Sequence, residues 1–407
     1  MIAYITMVLI AYLVSVDRSA TQELGFLQGE LRAQKATLRD LMPPPVPDAE
    51  NGAMLFKDAG QLAKGGSPDA DLKLAAVSMN EADVRAYLEK NREALEKLRQ
   101  AVEKPKCRFD VEYSQIGLGK MLTTLAVFRE FTRLLAWDAF YARHQGDLSG
   151  AVRSCRTLWR IRPCVPEGGI VCLLVGMGLD YQALNVTRQV IDQIELPQEL
   201  CQSLVAELES KQISHARLIR CVKMERAVCE RLWEELQDAD VARFGWPQLG
   251  RFPVLAGAIS VVVMPFRKQN HAATLRFMVR YLEAIESPWP QRLTAFDVDA
   301  ELNALPFHAR ATRESLEMLG RLAEFDAEHT ARVDLALLGV GLKLFKAKRG
   351  DYPNRLSELA PECLARLPAD PFTGQPYRYA RKGEGFVAYS VGKNQVDNGG
   401  VEDLKNP

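Results

Sequence analysis

The sequence predicts a mainly α-helical protein: an apolar amino-terminal helix, an irregular α-helical bundle and a small α+β carboxy-terminal end. Three observations carry this. Residues 1–16 (MIAYITMVLIAYLVSV) hold no charged side chain. From Asp48 to Glu328 apolar residues recur three or four apart, and alternating runs are few. After Asp351 the pattern turns to Pro- and Gly-punctuated alternation, as in Tyr377-Arg378-Tyr379 and Phe386-Val387-Ala388-Tyr389-Ser390. A chain of 407 residues has length for two or three domains. The linear reading divides it into a transmembrane anchor (1–16), a juxtamembrane helix with a proline-rich linker (17–47), an α-helical domain (48–329) and the α+β domain (330–407). Its 47% hydrophobic and 26% charged residues exclude global disorder. The balance of 52 Lys+Arg against 52 Asp+Glu argues against a nucleic-acid binder that relies on a whole-domain positive field.

As a helix, Met1 to Val16 spans about 24 Å, short of the roughly 30 Å hydrocarbon core of a bilayer. Tyr4 and Tyr12 suit positions near interfaces, where a hydroxyl stays wet. A membrane anchor is preferred over a cleaved signal peptide or a buried helix. No basic residue precedes the apolar run, and Arg18-Ser19-Ala20 puts Arg where a cleavage site needs a small residue. The missing basic flank also admits a true start upstream of Met1. Arg18, Arg32, Lys35 and Arg39 all follow the span, so positive-inside counting alone keeps the bulk of the chain in the cytoplasm. Leu24, Leu27, Leu31, Leu38 and Leu41 fall on heptad positions, fit for a partner helix or for the protein's own body. Pro43-Pro44-Pro45-Val46-Pro47 removes backbone donors, holds the chain extended and marks the clearest boundary.

In the body, Glu81 to Val102 reads as one helix with Val84, Leu88, Leu95 and Leu98 on its apolar stripe. Leu122–Phe140, Ile191–Ile213 and Arg217–Leu236 continue the pattern. Val254 to Phe266 is apolar all round and too short to span a bilayer, so a core helix stopped by Pro265 is expected. Leu135 to Pro163 resembles a single tetratricopeptide-type hairpin. Ala139 takes the small position, Gly146-Asp147 the turn, Ala151 and Leu158 the second helix, and Pro163 its close. No second copy follows, because Asp180 stands where the next turn glycine belongs.

The last part begins with an amphipathic helix, Ala331–Arg349, carrying Val333, Leu337, Val340, Leu344 and Phe345 on one face. Lys346, Lys348 and Arg349 complement its dipole, and Gly350 is its C-cap. Asn354 is read as the cap of a short helix, Arg355–Leu364. A hairpin around Arg381-Lys382-Gly383-Glu384-Gly385 follows, then a polar loop from Gly392 to Gly400. The ordered residues Tyr352-Pro353, Leu356, Leu359, Leu367-Pro368, Asp370-Pro371-Phe372, Gly374, Pro376-Tyr377, Tyr379 and Tyr389-Ser390-Val391-Gly392 resemble the globular end of the major pseudopilins of type II secretion systems. The likeness covers roughly 70 residues. The whole chain also resembles uncharacterised membrane-anchored envelope proteins of planctomycete-like bacteria, whose Pro-Val-Pro-Asp linker matches Pro45 to Asp48.

The resemblance implies the outer, periplasmic side of the inner membrane for the bulk of a single-pass chain. It also implies a calcium loop, with Ser390, Asn394, Asp397 and Asp403 as the oxygen donors. Here Asn394 replaces the family's Asp and Gln395 the following Gly, which weakens such a site. The pseudopilin cleavage glycine and the Glu after it are missing from residues 1–16, so a processed fibre subunit is not expected.

Catalytic patterns fail on inspection. Gly117-Leu118-Gly119-Lys120 lacks the first glycine and the Ser/Thr of a P-loop. Gly176-Met177-Gly178 follows no strand and lacks the third glycine of a dinucleotide fingerprint. His144, His215, His271, His308 and His329 are scattered. Asp297, Asp299 and Glu301 read as a solvated helix start. The eight cysteines permit disulfides of undetermined connectivity. The expected role is a non-enzymatic, membrane-anchored interaction or scaffold protein with unknown protein partners and no nucleic acid. The alternatives are an accessory of a type II secretion or pilus-like assembly, and an enzyme with an unrecognised site in the helical body.

Overall fold

The structure, a computed structural model, describes residues 2–34, 37–65, 67, 80–109, 118–165, 168–192, 195–210, 216–235, 253–305 and 310–400. It is mainly helical with one small sheet. In chain order the helices are α1 (Ile2–Ala33), α2 (Leu38–Leu41), α3 (Ala53–Leu62), α4 (Glu81–Lys90), α5 (Arg92–Val102), α6 (Leu118–His144) and α7 (Leu148–Ile161). They continue with α8 (Ile170–Ile191), α9 (Gln198–Ser210), α10 (Ala216–Glu235), α11 (Pro253–Ile285), α12 (Val298–Asn303), α13 (Arg310–Gly320) and α14 (Leu322–Arg349). Strands β1 (Arg378–Lys382) and β2 (Gly385–Tyr389) form an antiparallel hairpin with Arg378 opposite Tyr389 and Lys382 opposite Gly385.

Contacts divide the chain differently from the linear four-part reading. One compact unit holds Met1–Met42, Gly168–Ile170 and His215–Asp326; the other holds Pro43–Glu167, Val171–Ser214 and Ala327–Pro407. The body therefore contributes to both units, and the α+β end shares a unit with part of the helical body.

In the first unit, α1 is a single helix that runs through Asp17 without a break, so the expected boundary at residue 16 is not an element boundary. The heptad leucines pack on the protein itself: Leu27 and Leu31 meet Ala272 and Leu275 of α11, with Leu24 against the same cluster. Polar pairs flank this seam. Lys268 Nζ lies 2.9 Å from Asp17 Oδ1 and from Thr21 Oγ1, and Arg276 Nε donates to Glu23 at 2.7 Å. Helix α11 does not stop at Pro265 but continues to Ile285. Pro265 lacks one backbone N–H, and its interior position costs about 3 kcal/mol. The buried face Ala272, Leu275, Met278, Leu282 and Ile285 offsets that cost, and Pro253 occupies the favourable first helical position.

In the second unit, the expected helix from Glu81 to Val102 is two helices, α4 and α5, parted at Asn91. Asn91 is buried, and its side chain bonds elsewhere: its Oδ1 accepts from Lys64 N at 2.8 Å, and its Nδ2 donates to Lys64 O and Tyr87 O. A buried amide engaged in this way competes with the helix ladder. The helical hairpin forms where the sequence places it. Gly146 turns the chain at φ +75°, and Asp147 caps α7 by accepting from Gly150 N at 2.8 Å. Ala139, Ala151 and Leu158 are buried, and Pro163 lies in a 3₁₀ turn, Arg162–Cys164, that closes α7.

Helix α14 begins at Leu322, ahead of the expected Ala331, and Gly350 ends it at φ +86°. The expected helix Arg355–Leu364 is only a 3₁₀ turn, Leu356–Leu359, entered by Glu358 accepting from Arg355 N at 2.9 Å. Leu364 instead lies on α14, where Gly341 makes room for it: a Cβ at Gly341 would sit 2.9 Å from Leu364 Cδ2. Helix α9 starts at Gln198, after a loop closed by Leu196 and Pro197, so the pattern from Ile191 is not one helix.

Among the described residues, one helix is long and apolar enough to cross a membrane by length and composition, the internal α8, and half of its apolar window is buried within the protein. The side chains of residues 1–10 lie outside the described set.

Candidate functional site: a cationic groove with a cysteine pair

A cavity of about 710 Å³ lies in the second unit. Its construction starts at Asn51. That side chain donates to Arg108 O at 2.9 Å and accepts from Arg108 N at 2.8 Å, as a neighbouring strand would. Gly52 N donates to Lys106 O at 2.9 Å, and Lys106 N to Glu50 O at 3.2 Å. These bonds hold residues 106–108 as an extended ribbon along residues 50–52. Gly52 is required there, because a Cβ would sit 2.5 Å from Ala101 O. The ribbon aligns Lys106, Cys107 and Arg108 along the groove, while Pro43 and Pro44 form part of its wall.

Further lining comes from α7 and α9. Glu207 is buried and accepts from Arg160 Nε at 2.6 Å, with Arg156 Nε 3.8 Å away. Arg160 Nη1 also donates to Glu103 at 2.6 Å. Burial works against the Arg160 charge, but Glu207 and Glu103 outweigh it and hold its pKa above the usual arginine value. Lys104, Lys106, Arg108, Arg156 and Arg160 line the cavity; Glu207 pairs with Arg160 and Arg156, Glu103 with Arg160 and Glu50 with Lys106 at 3.2 Å, which leaves the groove a modest positive excess.

Cys107 and Cys164 also line it. The Cys107 thiol lies 3.7 Å from Cys164 O and within hydrogen-bonding reach of the Cys164 thiol. That neighbouring thiol, and then burial, pushes the Cys107 pKa well up. All eight cysteines are free thiols in the structure.

The loop that the resemblance marks as a calcium site is described as far as Gly400, and Asp403 lies outside the described residues. Ser390 Oγ accepts from Gly392 N, and Asn394 Oδ1 from Val396 N, each at 3.0 Å. Asp397 accepts from Tyr389 OH at 2.6 Å and Gly399 N at 3.0 Å, and its other oxygen is 3.3 Å from Arg378 Nε. Tyr389, the Gly399 amide and Arg378 together hold its carboxyl below the usual range. Among the described residues no three His, Cys, Asp or Glu side chains form a metal-sized cluster.

Other residues singled out in the sequence find local roles. Asp297 caps α12 by accepting from Ala300 N at 2.9 Å, and Asp299 and Glu301 follow in the first turn. Gly176 makes room for Arg162: a Cβ there would be 3.3 Å from Arg162 Nε. His144 lies 3.6 Å from Glu81. Gly117, His215 and His308 are outside the described residues, and Lys120 has no described side chain. The groove itself was not legible in the sequence. Its walls come from four separated segments, and the one local hint was the cationic spacing Lys104, Lys106, Arg108.

No protein-family model matches the chain, and neither a curated protein nor a solved structure is significantly similar to it.

Proposed function

We propose that the protein is a single-pass, membrane-anchored envelope protein without catalytic activity, acting as an interaction or scaffold module on the periplasmic side of the inner membrane. One observation carries the reading. Helix α1 is packed on its own body from Val16 to Leu31, yet just upstream its apolar side chains are uncovered, Tyr12 at 58% and Val14 at 52% exposure. Uncovered apolar surface on a helix that continues into an uncharged run suits lipid. The anchor and the seam with α11 are then one rigid rod. The cationic groove supports the interaction role, since its charge fits an acidic segment of a protein partner.

The test is membrane fractionation of the full chain with alkaline phosphatase fused after Pro407. Retention in the pellet through alkaline carbonate, release by detergent, and phosphatase activity are the expected results. Loss of the pellet signal on deleting residues 1–16 completes the set. Carbonate extraction of the intact chain overturns the anchor, and an inactive phosphatase overturns the periplasmic placement.

A second reading, an accessory that co-assembles with pseudopilins, draws on the mutual contacts of the residues that carry the resemblance. Tyr379 OH donates to Pro353 O at 2.7 Å, and Val391 N donates to Asp370 Oδ2 at 3.3 Å. Co-purification with a secretion complex supports it; a freely diffusing anchored monomer counts against it.

A further inference from the structure

The structure assigns Cys107 and Cys164 as a disulfide-forming pair that ties the ribbon of the cationic groove to the end of α7. The sequence leaves the pairing of eight cysteines open; tertiary contacts choose. Cys107 lies within hydrogen-bonding reach of both the carbonyl and the thiol of Cys164. Among the other cysteines, Cys201 Sγ bonds Leu196 O and Cys229 Sγ bonds Glu225, while Cys164 Sγ itself also donates to Arg160 O at 3.4 Å. Both residues of the pair line the cavity, and Cys107 is the more exposed, so a small disulfide reagent reaches it first.

The step is thiol–disulfide exchange with a disulfide donor such as oxidised glutathione. The Cys107 thiol, on losing its proton, attacks one sulfur of the donor, forms a mixed disulfide and releases one donor thiolate. The Cys164 thiolate then attacks the Cys107 sulfur, closes the protein disulfide and releases the second donor thiolate. Two electrons pass from the two cysteines to the donor, and their two protons end on the two released thiols. The bond closes a loop whose ends are 57 positions apart. Such a link restricts the unfolded chain strongly and fixes the ribbon against α7, with Arg108 and Arg160 both in the lining of the groove. The assignment does not depend on the membrane placement, because it concerns two thiols already adjacent in the fold.

The test uses the full chain in detergent, equilibrated with reduced and oxidised glutathione across a range of ratios, alkylated, digested and mapped by mass spectrometry. The expected product is the Cys107–Cys164 cross-linked peptide, lost in Cys107→Ser and in Cys164→Ser. Its formation raises Tm by roughly 5–10 °C over the reduced form. Reduced Cys107→Ser keeps the helical circular dichroism of the reduced parent, which separates a lost bond from a lost fold. Either of two results overturns the assignment. One is full alkylation of both cysteines at the most oxidising ratio; the other is glutathione retained on Cys107 without transfer to Cys164.

Discussion

His329 Nε2 on α14 lies 2.9 Å from Asp180 Oδ2 on α8, both side chains buried. The same oxygen is 2.5 Å from Arg162 Nε, so one carboxylate serves a guanidinium and an imidazole inside the second unit. The three residues are exposed by only 3–6%, and the chain brings them together from α8, α14 and the turn after α7.

Asp180→Asn removes the buried carboxylate that Arg162 and His329 share. Breaking a buried pair from one side costs about 3–5 kcal/mol. Chemical denaturation is expected to show that loss, whereas Asp192→Asn, on the exposed pair with Arg188, is expected to cost under about 1 kcal/mol. Equal effects from the two variants would remove the special role of Asp180.

Two glycines on α14 separate packing from propensity. A Cβ at Gly339 meets nothing within 4 Å, while one at Gly341 meets Leu364 at 2.9 Å. Gly339→Ala is expected to stabilise by roughly 0.5–1 kcal/mol through helix propensity. Gly341→Ala is expected to destabilise by about 1–3 kcal/mol through overpacking. Thermal unfolding of both variants checks the pair, and the same sign for both would contradict the close approach of Leu364.

His271, buried and stacked on Trp233 at 5.9 Å, has its pKa lowered to about 4 by burial and then by Arg267. A histidine depressed in the folded state binds its proton more readily when unfolded. The stability it contributes is therefore complete above its ordinary value near 6.5 and falls as pH drops towards 4. The loss is on the order of 3 kcal/mol at most. Denaturation midpoints between pH 7 and 4 are expected to flatten in His271→Gln; an unchanged slope would show that other groups set the acid limb.

Tyr377 OH donates to Asp334 Oδ2 at 3.0 Å, with both residues buried beneath the hairpin. Burial, with Asp334 and Asp370 nearby, pushes the tyrosine pKa well up. Tyr377→Phe keeps the ring and removes the bond, so a loss of about 1–2 kcal/mol is expected by chemical denaturation. An unchanged midpoint would make that hydrogen bond energetically idle.

Elements whose cause is local were legible in the sequence. Gly146-Asp147 turns and caps α7, Gly350 ends α14, and Gly383-Glu384 closes the hairpin, because each needs a backbone conformation or cap that its own residue supplies. Interruptions with distant causes were missed. Asn91 splits α4 from α5 through bonds to Lys64, and Pro265 fails to end α11 because that helix is held by its packed face. The candidate site was the least legible part, since Asn51, Cys107, Arg160 and Glu207 acquire meaning only beside one another.

The sequence by itself determined the helical class, the uncharged amino-terminal run, the helical hairpin turned at Gly146 and the small carboxy-terminal sheet. Periodicity, glycine and proline act over a few residues, and those features need nothing more. The tertiary structure decided that the heptad leucines of α1 pack on α11, that Asp180 is shared by Arg162 and His329, and that Cys107 lies against Cys164. These are meetings of side chains up to about 250 positions apart, as in Lys268 with Asp17, and only the burial of apolar faces in a particular arrangement chooses them.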